Sequence, residues 1–401
     1  MVVGMGFDSG AVSFHRLAVA GDSPTIVDDA LIDKFRAEAL TDDQLGAYVE
    51  IAYGWCGGRH VLDEEFHVGH NVYADSVVTG VRLDTNKVPP EIKRAYKMQE
   101  EQTASKTNPS GFASKQQKRL AKDSASKRIE EDLRTGKFRR SKMSAVLWDV
   151  LHFTLYAGGS SKQREQLVEL FERSLDLKLI PLSSGSIAMR SLEDAGKRRD
   201  YEDLVPTRFA IGPGGEQQTA DYPWTAKGDA DKDFLGSEFL VWLWHKTATS
   251  DSAIDTEEGV VTVMFTQVID LDCCFGATGR DVLRNEGPTS MIEATEALRT
   301  GKVPRRAGLT FEHAGSIFQF NFDAASFGVS SLKLPDVEEA DSPRVVFEER
   351  VGMIRLFMTL LDSLYEVFLQ HRVGSKAAGP WEATASARRA WIAKSSKARA
   401  A

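Results

Sequence analysis

One short segment combines imidazole and carboxylate side chains at a spacing that could hold a metal ion. The segment HVLDEEFHVGH contains His60, Asp63, Glu64, Glu65, His67 and His70. A zinc-protease helix requires the order HExxH, with both histidines on one helix face, and this order is absent here. The neighbouring glycines also argue against a helix, so a polar loop is favoured. A metal-dependent nuclease or hydrolase that uses His60, Asp63, His67 and His70 stays open as an alternative.

Other motifs of enzyme chemistry are missing from the sequence. The run GMGFDSG lacks the spacing of a dinucleotide fingerprint, GPGGEQQ is not a phosphate loop, and neither GxxxxGK[ST] nor GxSxG occurs. Cys273 and Cys274 end a predicted strand without an assignable base, which favours a buried structural pair. We therefore predict no catalytic residue, no bound metal, no cofactor and no enzymatic activity.

The strongest charge feature is a basic strip that runs from Ser114 to Lys142. It holds eleven cations and four anions and is therefore +7, so in a chain of net charge −8 the remaining residues sum to −15. Such segregation indicates a partner, because a solvated face usually interleaves both signs. Cations of this density can neutralise nucleic-acid phosphates whatever the base sequence. A solvated helix, or a scaffold that binds an acidic protein, remains the alternative.

The spacing of the strip predicts a projecting helical arm. Residues 91–102 form a charged helical pattern, and residues 103–112, with Pro109 and Gly111, are typical of a hairpin turn. The strip then begins the second helix, where no clean apolar stripe opposes the cations, so the arm should project from the body. Four cations share one helix face through i, i+3, i+4, i+7 spacing: Lys115, Lys118, Arg119 and Lys122.

Composition indicates a globular chain that can bury a large core. Of 401 residues, 42% are hydrophobic and 27% charged. We see no signal peptide, and the longest apolar segment carries Arg355, Asp362 and Glu366, which a membrane-spanning helix rarely tolerates. Three cysteines form no even framework, which favours a reducing cytoplasm.

Apolar periodicity predicts the elements that carry these segments. Strands are expected at AVSFHRLAV and NVYADSVVTGVRLDT, a helix from Ser23 and Pro24 onwards, and a long helix capped by Ser342. WLWHK could stack on bases, but a core position is favoured. The predicted parts are an N-terminal body (1–86), the charged arm with its basic tip (87–145), a central α/β segment with a Gly-rich connection (146–235), a C-terminal α+β body (236–373) and a flexible basic tail (374–401).

Several segments in this order resemble the recombination-associated protein RdgC family. The likeness lies in VPPEIKRAYKMQEEQ, in the basic strip with the SAVLWD that follows, in LFERSLDLKLIPLS, in LRTGKVPRRAGLTFEHAGSIFQFNF and in FEERVGMIRLFMTLLDSLYEVFLQ. No segment is a signature motif, so the resemblance depends on colinearity over most of the chain. This chain is longer, chiefly through its Gly-rich middle, the segment EFLVWLWHK and the basic tail.

The resemblance implies an α+β fold with antiparallel sheets, in an elongated horseshoe-like subunit that pairs into a ring-shaped homodimer around double-stranded DNA. Members of the family bind duplex DNA with little sequence preference and restrain RecA-dependent recombination, which implies a cytoplasmic, nucleoid-associated protein that competes with RecA for DNA. Phe138 corresponds to the family's tip phenylalanine, which closes the gate between subunits. The candidate DNA-binding residues are Lys115, Lys118, Arg119, Lys122, Lys127, Arg128, Lys137, Arg139, Arg140, Lys142, Arg280 and Arg284.

Overall fold

The strand predicted near the N-terminus lies in the middle of a large antiparallel sheet. The computed structural model describes residues 6–41, 49–106, 112–211, 215, 218–225, 232–249, 252–336, 342–373 and 380–394. The strands in these residues are β1 (Val12–Ala20), β2 (Ile51–Cys56), β3 (Val72–Tyr73), β4 (Ser76–Asn86), β5 (Arg139–Asp149), β6 (Thr154–Ala157), β7 (Lys178–Pro181), β8 (Ala253–Thr256), β9 (Gly259–Cys273), β10 (Asp281–Arg284), β11 (Lys302–His313), β12 (Ser316–Asp323) and β13 (Gly328–Lys333).

The sheet is open and joins two halves of the chain through β1. Its main strand order is β10-β9-β11-β12-β13-β1-β6-β5-β4-β2, with β3, β7 and β8 as side pairings. Val12 and Phe14 pair with β13, whereas the residues from His15 to Ala18 pair with β6. A single strand therefore connects the N-terminal and C-terminal hydrogen-bond ladders. The fold is α+β with an antiparallel sheet, as predicted.

Helices connect and cover the strands. They are α1 (Asp29–Ala37), α2 (Val68–Asn71), α3 (Pro90–Ser105), α4 (Lys115–Arg134), α5 (Ser161–Leu175), α6 (Ser184–Asp194), α7 (Arg198–Glu202), α8 (Phe234–Thr249), α9 (Ile292–Arg299), α10 (Pro343–Arg372), α11 (Pro380–Ala383) and α12 (Ala385–Lys394).

Local sequence explains where the principal helices begin. The Ser160 side chain accepts a hydrogen bond from the N–H of Gln163 at the start of α5, and Ser342 does the same for Val345 at the start of α10. These caps satisfy backbone donors that have no partner within the helix. The predicted cap at Ser23 is wrong, since α1 begins at Asp29, where the carboxylate of Asp28 accepts from the N–H of Leu31. The physical reason is that an Asp carboxylate is available four residues beyond Pro24.

Two apolar clusters form the core. The larger one packs α8 and α10 against the C-terminal half of the sheet, and it contains Trp242 and Trp244, as predicted for WLWHK. The smaller one contains Phe35, Trp55 and Phe171 and lies between α1, α5 and the N-terminal strands. No helix in the described ranges is long and apolar enough to cross a bilayer.

The C-terminal tail differs from the prediction of a flexible segment. Within residues 380–394 it forms α11 and α12, and Trp381 is buried against Phe368 with ring centroids 5.7 Å apart. The Arg388 guanidinium lies 3.7 Å from the centre of the Trp381 ring. Aromatic burial and this cation–π contact fix the described part of the tail to the body, because Trp381 has apolar surface that water would otherwise cover.

A pair of glycine substitutions tests the packing of α8 on the sheet. A Cβ at Gly236 would overlap the carbonyl oxygen of Ala324, whereas a Cβ at Gly352 in α10 would meet no atom within 4 Å. Backbone cannot yield as a side chain can, so we expect Gly236→Ala to lower the free energy of unfolding by about 1–3 kcal/mol. Gly352→Ala should raise it by about 0.5–1 kcal/mol. Urea unfolding of both variants measures the difference, and equal values would contradict the described α8 packing.

Candidate nucleic-acid interface

The basic strip forms the second helix of a hairpin, followed by the first residues of β5. Helix α4 begins with a capping box in which the Ser114 hydroxyl accepts from the N–H of Gln117 and the Gln117 side chain accepts from the N–H of Ser114. In α4 only Ala121 and Ala125 are buried. These small residues allow α3 to approach closely, so the cations lie on the remaining faces.

The cations of α4 are exposed and are densest in its first half. Residues 115–122 contain four cations and no anion, and all four side chains are exposed: Lys115, Lys118, Arg119 and Lys122. This half of α4 is the one farther from β5, to which the second half leads. Lys127 and Arg128 are also exposed but share the second half with acidic residues. The strongest positive charge therefore lies at the outer end of the arm.

A buried tyrosine holds the two arm helices together near the sheet. The Tyr96 hydroxyl donates to Asp132 (2.6 Å), and the Lys137 ammonium donates to both that hydroxyl (3.0 Å) and Asp132 (2.9 Å). The Arg128 guanidinium lies 4.0 Å from the centre of the Tyr96 ring and donates to Gln99. Two predicted DNA contacts, Arg128 and Lys137, thus also have a structural role within the arm.

The same contacts shift the pKa of the paired groups. Hydrogen bonds from Tyr96 and then Lys137 lower the pKa of Asp132 below its usual value of 3.8. Hydrogen bonds with Tyr96 and Asp132 raise the pKa of Lys137 above its usual 10.5. The contribution of Asp132 is present above its unfolded pKa and is lost as pH falls, whereas that of Lys137 is lost only as pH rises above its folded pKa. Asp132 and Lys137 are therefore both charged, and their ion pair is present, across the neutral pH range.

The last cations of the strip lie on opposite faces of β5. Arg140 and Lys142 are exposed on one face, opposite Thr85 and Leu83 of β4. Arg139 points to the other face and is half-buried beside Gly136. Alternation along a strand places Arg139 on the face opposite to Arg140 and Lys142. Arg140 and Lys142 continue the exposed basic surface from the arm to the sheet.

Phe138 lies at the base of the arm, and its role in a gate between subunits stays a prediction. It directly precedes β5, and the adjacent Arg139 pairs with Asn86, where β4 leads into α3. Its ring is half-buried, with the Lys137 ammonium 5.6 Å from the ring centre. The exposed aromatic residue that closely precedes α4 is Phe112, which is 80% exposed.

Arg280 and Arg284 are far from the arm. They line a cavity of about 380 Å³ with Asp270 and Arg306, at the β10 edge of the sheet. Arg280 is paired with the buried carboxylate of Asp270, which offsets its charge. Six strands separate β10 from β5 in the strand order, so the structure does not bring these two arginines together with the basic strip.

The histidine-rich segment is a loop from His60 to His67, as predicted, but its last residue, His70, lies in α2 and is buried. Glu65, His67 and His70 bring their ligand atoms within 4.8 Å of one another. Asp63 accepts from the His70 ring instead, and His60 is outside the group and lines a cavity of about 880 Å³. Of the four residues proposed for the hydrolase alternative, only His67 and His70 therefore belong to the ligand group. Sequence reasoning did not assign Glu65 a role, although its spacing of two residues from His67 could have drawn attention to it.

The remaining sequence candidates are structural. Cys56, Cys273 and Cys274 are buried free thiols, and burial raises the pKa of Cys274 to about 12. A thiol in that environment is a poor nucleophile at neutral pH because it stays protonated. Both residues of the adjacent pair are buried, as the sequence indicated. For Cys273, burial raises the pKa, but hydrogen bonds with Thr278 and nearby backbone lower it below its usual value.

No protein-family model matches this chain, and no curated protein shows significant similarity to it. The resemblance to the RdgC family accordingly rests on the segments quoted from the sequence.

The contribution of Tyr96 to the arm can be measured by hydrogen exchange. We expect Tyr96→Ala to increase amide exchange in α4 at least about tenfold, equivalent to about 1.4 kcal/mol of local opening free energy. The melting temperature of the body should change little, because the only described contacts of Tyr96 are with the arm and its base. Met98→Ala is the control, since Met98 is on the same helix and 52% exposed. Equal acceleration in both variants would show that Tyr96 does not hold the helices together.

Proposed function

We propose that this chain is a non-enzymatic protein that binds double-stranded DNA without sequence specificity, through the cations of the arm. The observation that carries the proposal is the anion-free run from Lys115 to Lys122, exposed on a helix in an otherwise acidic chain. Neutralising phosphates releases condensed counterions, and this gain does not depend on base sequence. An arm of this kind positions a protein on the DNA backbone without reading bases.

The dimensions of the arm suit a duplex. Helix α4 has 20 residues and therefore extends for about 30 Å, the length of about nine base pairs. The acidic remainder of the chain repels DNA, while the basic surface attracts it. This charge distribution favours DNA that contacts the arm alone over DNA that coats the whole surface.

The resemblance supports a more specific form of the proposal. In this form of the proposal, two horseshoe-like subunits form a ring-shaped dimer that encircles DNA. The dimer restrains RecA-dependent recombination in the nucleoid by competing with RecA for duplex DNA. The half-buried Phe138 and the exposed Arg140 and Lys142 lie at the base of the arm, where a second subunit could contact them. The alternative is a scaffold whose arm binds an acidic protein, which would not retain DNA at physiological salt.

Salt-dependent binding to linear, single-stranded and closed-circular DNA tests the DNA proposal. If a dimer contacts six to eight phosphates, the logarithm of the duplex association constant should fall with the logarithm of salt concentration at a slope of about −5 to −7. The triple variant Lys118→Glu/Arg119→Glu/Lys122→Glu should flatten this slope and weaken binding. The matched control, Lys34→Glu/Lys162→Glu/Lys178→Glu, changes three exposed lysines outside the arm by the same total charge. Equal weakening by both variants, or a slope near zero, would reject the arm as the DNA-binding surface.

The dimer part of the proposal has its own test. We expect Phe138→Ala to weaken self-association in sedimentation equilibrium, because the substitution removes the aromatic surface assigned to the gate. Phe112→Ala is the control, since it removes an aromatic ring at the opposite end of the arm. A dimer that is unchanged by Phe138→Ala would remove this residue from the gate, and weakening by Phe112→Ala alone would place the contact at the hairpin turn.

A further inference from the structure

We propose that Glu65, His67 and His70 form a binding site for a transition-metal ion of the zinc class. Their ligand atoms all lie within 4.8 Å of one another, and Oε2 of Glu65 is 3.5 Å from Nδ1 of His70. Two ligands that bind Zn²⁺ at its usual distances in tetrahedral geometry are about 3.3 Å apart. The pair is therefore already at the separation that a shared ion requires.

A buried carboxylate orients the innermost ligand. Asp63 and His70 are both buried, and Oδ2 of Asp63 is 3.0 Å from Nε2 of His70. With the proton on Nε2, this hydrogen bond leaves the lone pair of Nδ1 directed toward Glu65. A carboxylate that accepts from the distal nitrogen of a metal-bound histidine fixes its tautomer and raises its basicity. Asp63 therefore acts as a positioning residue and not as a ligand.

Hydrogen bonds of buried side chains fix the segment that carries the ligands. Asn71 is fully buried, donates to the carbonyl oxygens of Gly57 and Val78, and accepts from the N–H of His67 (3.1 Å). Asp63 also accepts from the N–H of Glu65 (3.1 Å). These hydrogen bonds position the backbone of both exposed ligands, Glu65 and His67, so the segment that carries the site is formed before an ion binds.

The donor set selects the ion. Two imidazoles and one carboxylate suit Zn²⁺ and its neighbours in the transition series, whereas Mg²⁺ and Ca²⁺ prefer oxygen ligands throughout. Glu65 and His67 are exposed, so water can complete a tetrahedral site. The inference is independent of DNA binding, and it assigns no hydrolytic step to the ion.

Metal titration of the full chain tests this site. After chelator treatment and dialysis, isothermal titration calorimetry with Zn²⁺ and elemental analysis should show one ion per chain, and Co²⁺ should give the visible spectrum of four-coordinate cobalt. His67→Ala and Glu65→Gln, which change exposed side chains, should abolish or strongly weaken uptake. Asp63→Asn should weaken Zn²⁺ binding by about 10–100-fold. His60→Ala is the matched control, because His60 lies in the same loop but outside the ligand group, and it should bind as the wild type does.

Three outcomes would overturn the proposal. They are no Zn²⁺ uptake by the wild type, undiminished uptake by His67→Ala, and equal loss in His60→Ala. The first would leave His70 as the hydrogen-bond partner of Asp63 with no bound ion. The second would place uptake elsewhere in the chain, and the third would mean that the described ligand group is not the site. Circular dichroism of each variant separates loss of a ligand from loss of fold.

Discussion

The attachment of α10 to both halves of the sheet is the constraint on which the rest of the structure depends. The Arg355 guanidinium donates to the buried carboxylate of Asp149 in β5 (2.7 and 3.0 Å), and Arg16 of β1 donates twice to Asp362 (2.6 and 2.7 Å). Arg16 and Asp149 are buried, whereas Asp362 and Arg355 are partly exposed, so loss of either exposed member would leave a buried charge without its bidentate partner. Since β1 links the two ladders, these pairs fix the N-terminal half, which carries the arm, to the C-terminal half.

Bidentate hydrogen bonding gives these pairs a defined geometry as well as a charge interaction. Although burial alone lowers the pKa of Arg16, the charge and hydrogen bonds of Asp362 raise it above its usual range. The apolar face of α10 packs between them, with Phe357 against the phenylalanines of β11 and β12. Apolar packing supplies most of the burial, whereas the bidentate pairs select one position of the helix along the sheet. Arg355 and Asp362, two of the three charges that argued against a membrane span, therefore have a structural role.

The arm depends on different forces from the body. Its helices bury few side chains, and its cohesion rests on Tyr96, Asp132 and Lys137 at the base and on alanines along α4. A hairpin with so little core can present most of its charge to a partner, because its side chains are not needed for packing. The histidine-rich loop has the opposite arrangement, since Asn71 and Asp63 hold exposed ligands from a buried base. The basic arm and the histidine-rich segment are thus two surfaces of different chemistry in the N-terminal half of the chain.

Features that depend on neighbouring residues could be predicted from the amino-acid sequence alone. The charge segregation of the strip, the cap at Ser342 and the apolar spacing of α10 are read from neighbouring residues. The antiparallel α+β class was what the resemblance implied. Tertiary structure alone decided which distant residues meet. The pairing of Arg16 with Asp362, the place of Phe138 at the arm base, the separation of Arg280 from the strip and the choice of Glu65 over His60 all depend on chain reversals and strand register. Those contacts form between residues far apart in the chain, where composition and spacing carry no distance information.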